Sequence, residues 1–344
     1  MSSLQIGIAG AGLLGRLLAW RLVRAGHHVT VFDPASGPMP CFDGRGAAAF
    51  SAAGMLSPLA ELDNGSSEVA ALGWRSIVLW REIAGRLCDA TPAFSQRGSL
   101  LLAHRSDLGA AQRVLARIEG ESAPSRVQRL TEAQLALLEP GLFGAAQAWL
   151  LADEAQIDPV AMMQALHDEA IGVTWCWGRS VDRVSAHALT VDRETQRFDL
   201  AIDVRGVGAR NDMPVRGVRG ETAWLHAPGH GLTRPVRLLH PRHRVYLVPR
   251  AGDIVFVGAS EIESEDRSPV SVRSAVELLS AAHSVLPALA EASVLRLDRN
   301  LRPALPDNEP RIERAPGLLR INGLFRHGWL VAPALVQDAL ESFA

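Results

Sequence analysis

The first 33 residues alternate between apolar runs of strand length and an apolar stripe at helical spacing. Residues 5–9 form a short apolar run, residues 14–25 place apolar side chains at helical intervals, and residues 28–32 form a second run that closes at Asp33. Gly26 follows the helical segment at the position where glycine commonly ends a helix. The pattern predicts a strand–helix–strand unit, which implies a parallel sheet with helices on its faces.

The rest of the chain alternates between helical and strand patterns without an internal repeat. Amphipathic spacing predicts helices at residues 65–88, 107–119, 158–170 and 270–286. Apolar runs predict strands at 98–103, 171–184 and 198–207, short strands throughout 221–257, and a strand, Gly-rich turn and helix over 321–341. The strands at 171–184 and 198–207 are expected to return to the first sheet. This order predicts a discontinuous cofactor domain with an inserted, β-rich substrate domain.

Charge and composition exclude several classes of protein. With a net charge of −2, 48% hydrophobic and 21% charged residues, the chain is typical of a soluble enzyme and offers no basic surface for nucleic acid. All 35 residues in the lysine and arginine total are arginine. A phosphate-binding P-loop, a pyridoxal phosphate enzyme and a dehydrogenase with a tyrosine–lysine pair each need a lysine, so none of them fits.

No targeting or membrane-spanning segment is predicted. Arg16 and Arg21 interrupt the apolar stretch 6–23, and no small-residue cleavage site follows it. No other stretch reaches the ~20 apolar residues of a membrane span. We expect a cytoplasmic protein.

The cysteine and histidine positions do not predict a metal site. Cys41, Cys88 and Cys176 are odd in number and widely spaced, which argues against disulfides and zinc and fits a reducing compartment. His240 and His243 lie among proline and arginine, which indicates a loop rather than a group of metal ligands.

A glycine-rich turn joins the first predicted strand to the helix. The segment Gly10-Ala11-Gly12-Leu13-Leu14-Gly15 matches G-x-G-x-x-G, whose glycines allow the tight turn, admit a pyrophosphate and let helix and strand pack closely. The helix N-terminus presents free N–H groups to that pyrophosphate. Asp33 lies 18 residues after Gly15, where a carboxylate accepts hydrogen bonds from ribose hydroxyls. The motif predicts a bound dinucleotide and does not separate FAD from NAD.

Five further segments, in order along nearly the whole chain, resemble motifs of one family of flavoproteins. They are residues 50–58 (FSAAGMLSP), 218–221 (VRGE), 246–250 with 257–260 (YLVPR and VGAS), 301–307 (LRPALPD) and 323–333 (GLFRHGWLVAP). The first resembles the A-A-G-M-L segment of the glycine oxidases of thiamine biosynthesis, which belong to the D-amino acid oxidase family. The others resemble the R-G-E/Q, Y-x-V-P-R…G-A-T, R-P-x-x-P-D and G-x-x-R-x-G-x-x-x-A-P elements of that family.

The resemblance implies an α/β fold in which a Rossmann-like FAD-binding domain carries an inserted antiparallel-sheet substrate domain, with the flavin along their interface. The FAD domain would comprise residues 1–91, 156–216 and 305–344, and the substrate domain residues 92–155 and 217–304. The family's FAD contacts, carried over by position, fall on Gly10, Gly12, Leu14, Gly15, Asp33, Ala53, Gly54, Met55, Val181, Leu324, Phe325, Arg326, His327, Gly328, Trp329 and Leu330. No cysteine lies where related sarcosine oxidases attach their flavin covalently, so the resemblance implies non-covalent FAD.

The same resemblance places Tyr246, Arg302 and Arg326 at the substrate. An arginine suits a carboxylate because its planar fork pairs bidentately, and such a clamp would orient a Cα–H toward the flavin. From the residues alone, a tyrosine in a strand such as Tyr246 more often packs in a core, whereas Arg302, before a proline in an apolar setting, is less typical of a surface charge. Arg326, in a Gly-rich turn, could be a surface charge or a flavin contact. No catalytic side chain is predicted, because the cofactor carries the chemistry.

Some positions depart from the family pattern or stay open. Arg311-Ile312-Glu313 stands where the family usually has an Ile-Gly pair, His327 replaces a frequent Asn, and Trp329 replaces a smaller aliphatic residue. His327 and Trp329 either narrow the pocket or pack against neighbours. Glu261 falls near the family's position beside the substrate amine, where it either favours a cationic amine or is solvated.

The leading hypothesis is an oxidase that converts glycine or a similar small amine to an imine and then to glyoxylate and ammonia, with oxygen reduced to hydrogen peroxide. The alternative enzyme is a dehydrogenase of a D-amino acid or a secondary amine such as sarcosine or hydroxyproline, with another electron acceptor. A flavin-binding protein without turnover and a nicotinamide-dependent enzyme are further alternatives. The family suggests a homo-oligomer, but the substrate, the acceptor and the oligomeric state do not follow from the sequence.

Overall fold

Strands and helices follow one another along the whole chain. The computed structural model describes residues 3–62, 66–87, 93–121, 127–239 and 244–341. The strands are β1 (Gln5–Ala9), β2 (His28–Asp33), β3 (Met55–Leu56), β4 (Phe94–Ser95), β5 (Ser99–Ala103), β6 (Val127–Leu130), β7 (Gln147–Leu151), β8 (Ala155–Ile157), β9 (Thr174–Trp177), β10 (Val181–Ser185), β11 (Ala188–Val191), β12 (Glu194–Arg197), β13 (Leu200–Asp203), β14 (Arg216–His226), β15 (Val236–Leu239), β16 (Arg244–Arg250), β17 (Ile254–Gly258), β18 (Ser293–Ala304), β19 (Arg311–Ala315) and β20 (Leu318–Asn322). The α-helices are α1 (Leu13–Arg24), α2 (Pro58–Glu61), α3 (Ser67–Ala84), α4 (Leu108–Glu121), α5 (Glu132–Leu138), α6 (Pro159–Asp168), α7 (Val272–His283) and α8 (Gly328–Glu341).

Six strands form a sheet in the order β19-β20-β13-β1-β2-β9, in which every pair is parallel except β19 with β20. Helices α1, α3, α6 and α8 pack on one face. The prediction of helices on both faces is wrong for the other face, which the antiparallel sheet β10-β11-β12 covers. Strand alternation gives each face its own apolar set, because Val29 and Val31 point to the helices while Phe32 packs under the small sheet.

Eight strands form a second sheet in the order β18-β14-β17-β16-β15-β5-β7-β6, antiparallel except for β15 with β5. Its two faces have different neighbours. Val245 and Leu247 of β16 lie in the core that the sheet shares with α7. Tyr246 and Val248, on the opposite face of the same strand, pack in a small cluster with Ala53. Because successive side chains of a strand point to opposite faces, the face that carries Tyr246 and Val248 lies toward Ala53, Met55 and the six-stranded sheet.

The four predicted helices are observed with shifted ends, because polar caps fix where helices begin. Ser66 accepts a hydrogen bond from the Val69 N–H and starts α3, and Ser271 accepts one from the Ser274 N–H and starts α7. Residues 63–65 and 88–92, at the ends of the predicted helix 65–88, lie outside the described residues. Within the described ranges, none of the helices combines the length and apolar character needed to cross a bilayer.

The predicted single strand at 171–184 is wrong. Thr174–Trp177 pairs with β2 in the six-stranded sheet, whereas Val181–Ser185 belongs to the small antiparallel sheet. Gly178 lies between them with a φ of 70°, in the left-handed region that a glycine adopts without strain, and turns the chain. The predicted strand at 198–207 does return to the first sheet, as β13 beside β1.

Helix α3 fixes the position of α8 through a buried indole. The Trp80 side chain is fully buried, and its Nε1–H donates to the Trp329 carbonyl oxygen at 2.7 Å. The two indole rings also lie 5.4 Å apart between centroids. Because Trp329 lies in the first turn of α8, this contact sets the location of the Gly-rich loop that precedes the helix.

Replacing Trp80 with Phe should lower the free energy of unfolding by about 1–3 kcal/mol more than replacing Trp20 with Phe. Both indoles are buried, but within the described part of the chain Trp20 Nε1 has no hydrogen-bond partner, so only Trp80→Phe leaves a buried carbonyl oxygen without its donor. Chemical denaturation of the two variants measures the difference. Equal losses would show that the hydrogen bond to α8 contributes nothing.

Candidate active site

A cavity of about 1480 Å³ reaches from the carboxyl end of β1 to strands β14, β16 and β18. It exceeds the ~300–1,000 Å³ of most small-ligand pockets, which leaves room for a dinucleotide together with a small substrate. The predicted site residues that line it are Gly10, Gly12, Leu14, Asp33, Ala53, Gly54, Met55, Val181, Tyr246, Arg302, Leu324, Phe325, Arg326, His327, Gly328 and Trp329. Gly15 and Leu330 are buried behind the wall instead.

The glycine-rich turn closes one end of the cavity. Gly10 has a φ of 105°, and a Cβ on Gly15 would lie 1.9 Å from the Gly10 carbonyl oxygen, so both positions need glycine. No side chain caps α1 at Gly12, which leaves the N–H groups of its first turn facing the cavity. Asp33 accepts hydrogen bonds from the Ala11 N–H at 2.6 Å and the Ala35 N–H at 2.8 Å, so the predicted ribose acceptor also braces the turn.

Arg16 clamps the turn from behind, a role that the sequence did not reveal. Its guanidinium is buried and donates to three carbonyl oxygens, those of Ala11 at 3.0 Å, Met163 at 2.7 Å and Pro38 at 2.7 Å. Burial lowers the pKa of Arg16 to about 10, partly opposed by the charge of Asp33. The clamp ties the turn to α6 and to the loop that follows β2.

Two glycines make room for the predicted substrate residues at the other end. A Cβ on Gly220 would lie 2.5 Å from the Arg302 guanidinium, and one on Gly258 would lie 2.6 Å from the Tyr246 hydroxyl oxygen. Arg302 faces the V-R-G-E segment across the pair β14 and β18, and Tyr246 pairs with Gly258 across β16 and β17. The two family motifs therefore leave space for a guanidinium and a phenol within one sheet.

Arg302 lies in the cavity with a charge that no acid neutralises. Its Nη2 donates to the Ser260 carbonyl oxygen at 3.0 Å and its Nη1 to the Arg219 carbonyl oxygen at 3.4 Å. Among the described residues, no carboxylate is paired with it. Carbonyl contacts orient the planar fork and leave its charge for an anionic ligand.

Arg326 differs from Arg302 because it is already paired with acids. Its Nε and Nη2 donate to Glu61 Oε2 at 2.9 Å and 2.8 Å, and its Nη1 donates to Glu261 Oε2 at 3.3 Å. Glu61 also accepts a hydrogen bond from Arg237 Nη2 at 2.9 Å, and its Oε2 lies 3.2 Å from His327 Nδ1. The predicted substrate contact at Arg326 is thus part of a charged cluster inside the cavity.

The cluster keeps its central acid ionised. Burial alone would raise the pKa of Glu61, but the charge of Arg326, the His327 imidazole beside Oε2 and then Arg237 hold that pKa well below its usual value. Burial tends to lower the pKa of Arg326. The negative charges of Glu61 and, to a smaller extent, Glu261 outweigh this effect and raise the pKa above its normal value. Burial also raises the pKa of Tyr246, although the nearby arginines oppose the rise.

Glu154 supports α2, the short helix that ends at Glu61. Its Oε1 accepts hydrogen bonds from the N–H groups of Leu59 at 3.1 Å and Ala60 at 3.4 Å, and its Oε2 accepts one from Ser99 Oγ. Glu154 is fully buried, and this burial raises its pKa to about 7 even though the hydrogen bond from the Ser99 hydroxyl opposes the rise. A buried acid therefore holds the start of the helix that presents Glu61.

Sequence reasoning did not single out Glu61, Arg237 or Glu154. Arg237 carried a usable signal, because it is a lone charge in the apolar strand run V-R-L-L. Glu61 follows the A-A-G-M-L segment by a few residues and had no comparable signal. In the described part of the chain, no group of three or more His, Cys, Asp or Glu side chains could hold a metal ion. Cys88, His240 and His243 lie outside that part.

The fold and the cavity define a dinucleotide-dependent oxidoreductase. The Gly-rich turn at the carboxyl end of a parallel strand, the uncapped start of α1 and the acid that ends β2 suit the ADP half of a dinucleotide. The same cavity continues to a guanidinium and a phenol suited to an acidic substrate. These residues fit FAD, since the cavity has length beyond the ADP site for a flavin.

Comparison with known proteins identifies the family. Residues 5–338 match the model of the FAD dependent oxidoreductase family, so the chain belongs to this family and is an FAD-dependent enzyme. It is 36% identical over 338 residues to a protein of Rhizobium etli assigned as the thiamine biosynthesis oxidoreductase ThiO, covering 97% of this chain and 95% of that protein. It is 26% identical to the glycine oxidase of Geobacillus kaustophilus, covering 98% and 93%. The crystal structure of glycine oxidase from Geobacillus kaustophilus superposes with a TM-score of 0.83, covering 99% of this chain and 95% of that chain at 24% identity. The resemblance and the fold predicted from it are confirmed.

Replacing Gly15 with Ala should destabilise the protein by about 3 kcal/mol or more and remove FAD, because the new Cβ meets backbone 1.9 Å away. Gly12→Ala is the matched control. Its Cβ would meet nothing nearer than Ala47 at 3.9 Å, so it should cost about 1 kcal/mol or less and yet weaken FAD binding where the pyrophosphate approaches. The flavin-to-protein absorbance ratio and thermal unfolding measure both effects. Full FAD binding by Gly12→Ala would contradict the assignment of the turn.

Replacing Glu154 with Gln should flatten the dependence of stability on pH. The folded protein holds the Glu154 proton to about pH 7, whereas the unfolded chain releases it near 4.5, so stability is lost as the pH rises through this window. The loss is at most about 3 kcal/mol. Urea denaturation from pH 4.5 to 8 should show that the free energy of unfolding of the variant rises relative to that of the wild-type protein as the pH rises. Parallel curves would show that the carboxyl group is not protonated in the folded state.

Proposed function

We propose that this protein oxidises the Cα–N bond of glycine or a similar small amino acid or amine, transferring a hydride to bound FAD. With glycine the product is an imine, which hydrolyses to glyoxylate and ammonia, and oxygen takes the electrons as hydrogen peroxide. The observation that carries the proposal is Arg302, a guanidinium in the cavity that is oriented by carbonyl oxygens and paired with no described acid.

Arg302 supports an amino acid substrate because a carboxylate would complete its coordination. Bidentate pairing with the fork fixes both the position and the rotation of a small acid. Tyr246, whose hydroxyl lies in the electrostatic field of Arg302, would donate a second hydrogen bond to the same carboxylate. With the carboxylate held, the amine and the Cα–H would lie in the cavity that Ala53, Gly54 and Met55 also line.

The proposed FAD contacts come from several segments of the chain that line the cavity. We assign the ADP half of FAD to Gly10, Gly12, Leu14 and Asp33, with Gly15 packed behind them, and the adenine region to Val181. The flavin ring is assigned to Ala53, Gly54 and Met55, and its pyrimidine side to the loop Leu324–Leu330. Bound FAD supplies the two-electron acceptor for the hydride. The FAD domain would then comprise residues 1–91, 156–216 and 305–344, and the substrate domain residues 92–155 and 217–304.

The chain's own residues act by binding and orientation. An amine that gives up a hydride from its α-carbon needs a free lone pair on its nitrogen. A protonated amine can lose its extra proton to solvent before the hydride is transferred. Ala53, Met55 and Tyr246 line the cavity, with Phe256 packed behind them, and would form an apolar wall that keeps water from the Cα–H. No described side chain has to act as a base.

The relatives support this chemistry without fixing the substrate. One is assigned as a thiamine biosynthesis oxidoreductase and another is named a glycine oxidase. We place this protein in the same role, with an oxidised small amine supplied to thiamine biosynthesis. The homo-oligomer and the cytoplasmic location stay predictions.

Oxygen uptake separates the proposal from its alternative. The purified holoprotein is given glycine, sarcosine, hydroxyproline and a panel of D-amino acids, with and without an artificial electron acceptor. Peroxide formation without the acceptor supports an oxidase. Flavin reduction that turns over only with the acceptor indicates a dehydrogenase, and failure of every amine to reduce the flavin anaerobically contradicts both.

Replacing Arg302 with Leu should lower kcat/KM for the best amine by at least about 100-fold, because the carboxylate loses its bidentate partner. The FAD content should stay at the wild-type level, since Arg302 holds the substrate. Arg75→Leu is the control, because Arg75 is exposed on α3 and pairs with Asp338 away from the cavity. Steady-state kinetics and anaerobic flavin reduction measure the loss. Unchanged turnover in a flavin-loaded Arg302→Leu protein would remove the basis of the proposal.

A further inference from the structure

A buried acid occupies the cationic part of the cavity beside the proposed substrate site. Both oxygens of Glu61 are engaged, Oε1 by Arg237 and Oε2 by Arg326, with His327 also beside Oε2. The Glu61 side chain is only 12% exposed, and those of Arg326 and Arg237 are 14% and 9% exposed. These contacts do more than a surface ion pair, because both arginines line the cavity itself.

Arg302, Arg237 and Arg326, three of the seven described arginines that line the cavity, divide by their partners. Arg326 pairs with Glu61 and Glu261, and Arg237 pairs with Glu61, whereas among the described residues Arg302 contacts only carbonyl oxygens. Of these three cations, Arg302 is the one left available to a substrate carboxylate. The other two already hold a carboxylate that belongs to the protein.

Glu61 is close enough to the substrate site to act on a second acidic group. Arg237 lies directly opposite Tyr246 on the neighbouring strand, and Glu61, Arg326 and Arg302 line the same cavity as this phenol. A small amine held at Arg302 would extend any further substituent into this group. A neutral substituent meets no opposing charge there, whereas a carboxylate would meet Glu61 in a site with little water to screen it.

The position of Glu61 is fixed from both ends of α2. Glu154 accepts hydrogen bonds from the helix's first N–H groups, and Arg237 Nη1 donates to the Ala60 carbonyl oxygen at 2.7 Å. Leu59 and Ala60 are buried in an apolar cluster. Glu61 is therefore held against its arginines and cannot easily swing aside for a competing acid.

We propose that Glu61 is a specificity-determining residue, an internal carboxylate that occupies Arg326 and Arg237 and so excludes amines that carry a second carboxylate. This inference rests on the proposed function at Arg302 and adds the substrate class: small amines with one acidic group. Removing the charge of Glu61 leaves Arg326 with only the more exposed Glu261 and turns the two arginines into a second anion site.

Ligand binding to the wild-type holoprotein tests the proposal without a variant. Propionate and malonate differ in that a methyl group of one is a carboxylate in the other. At pH 8, where both acids are fully ionised, malonate should bind at least about tenfold more weakly than propionate in a titration followed by flavin absorbance and calorimetry. Malonate binding as tight as propionate binding would overturn the proposal.

Glu61→Gln tests the same point through catalysis. Iminodiacetate is compared with N-ethylglycine, and D-aspartate with D-2-aminobutyrate, since each pair differs by a carboxylate in place of a methyl group. The variant should raise the ratio of kcat/KM for the dicarboxylate over its neutral partner at least about tenfold, and tighten malonate relative to propionate. Glu61→Asp, which keeps the charge, should retain most of the wild-type ratio.

Glu313→Gln is the matched control. Glu313 lies on β19 outside the cavity, and its carboxylate is 3.7 Å from the guanidinium of Arg320. It should leave all ratios unchanged. If the role of Glu61 were purely structural, Glu61→Gln would lower kcat/KM for both members of each substrate pair by the same factor. An unchanged ratio in a flavin-loaded Glu61→Gln protein would therefore overturn the proposal. If no amine reduces the flavin of the wild-type protein, the proposed function fails, and the malonate and propionate affinities still decide the role of Glu61.

Discussion

Every N–H of a buried guanidinium needs an acceptor, and the kind of acceptor decides what the arginine can do. Carbonyl oxygens satisfy the donors and leave the charge available to a ligand, whereas a carboxylate neutralises it. Arg16 and Arg302 are held by carbonyl oxygens, and Arg326 and Arg237 are held by Glu61. This division gives the cavity two electrostatic features: a field behind the Gly-rich turn that suits a pyrophosphate, and, at Arg302, a cation that is paired with no described acid and suits a small acid.

The end of the cavity at Arg302 depends on packing between elements that are far apart in the chain. Tyr246 and Arg302 come from the eight-stranded sheet, Glu61 from α2, and Arg326 from the loop before α8. The hydrogen bond from Trp80 to the Trp329 carbonyl oxygen holds that loop in place, and the absence of a side chain at Gly220 lets Arg302 lie flat on the sheet. Rigid elements on both sides keep the site residues at fixed distances, which a site built on loops alone would not do.

Local patterns in the sequence predicted much of this structure. The strand–turn–helix–strand unit, the Gly-rich turn and Asp33 were read from spacing, and the motifs of the family placed Arg302 and Tyr246 in the cavity. What the sequence could not show was pairing between distant segments. Nothing near residue 326 indicates that Glu61, from a segment more than 200 residues earlier in the chain, neutralises Arg326. The division of 171–184 into two strands also depended on one glycine, Gly178, whose effect on the chain direction outweighs the apolar run.

Helix α2 shows how stability and selectivity become linked in such a site. It has four residues, too few for its own hydrogen bonds to hold it, so Glu154 and Arg237 complete its polar groups. Burial raises the pKa of Glu154 to about 7 at one end, whereas Glu61 keeps its charge at the other because Arg326 and Arg237 surround it. The protein bears the cost of burying Glu154 because its carboxyl group positions the helix that presents Glu61. A change that relaxes α2 should therefore alter which acids the cavity admits before it alters how the cavity holds FAD, since the turn at Gly10 rests on a different set of contacts.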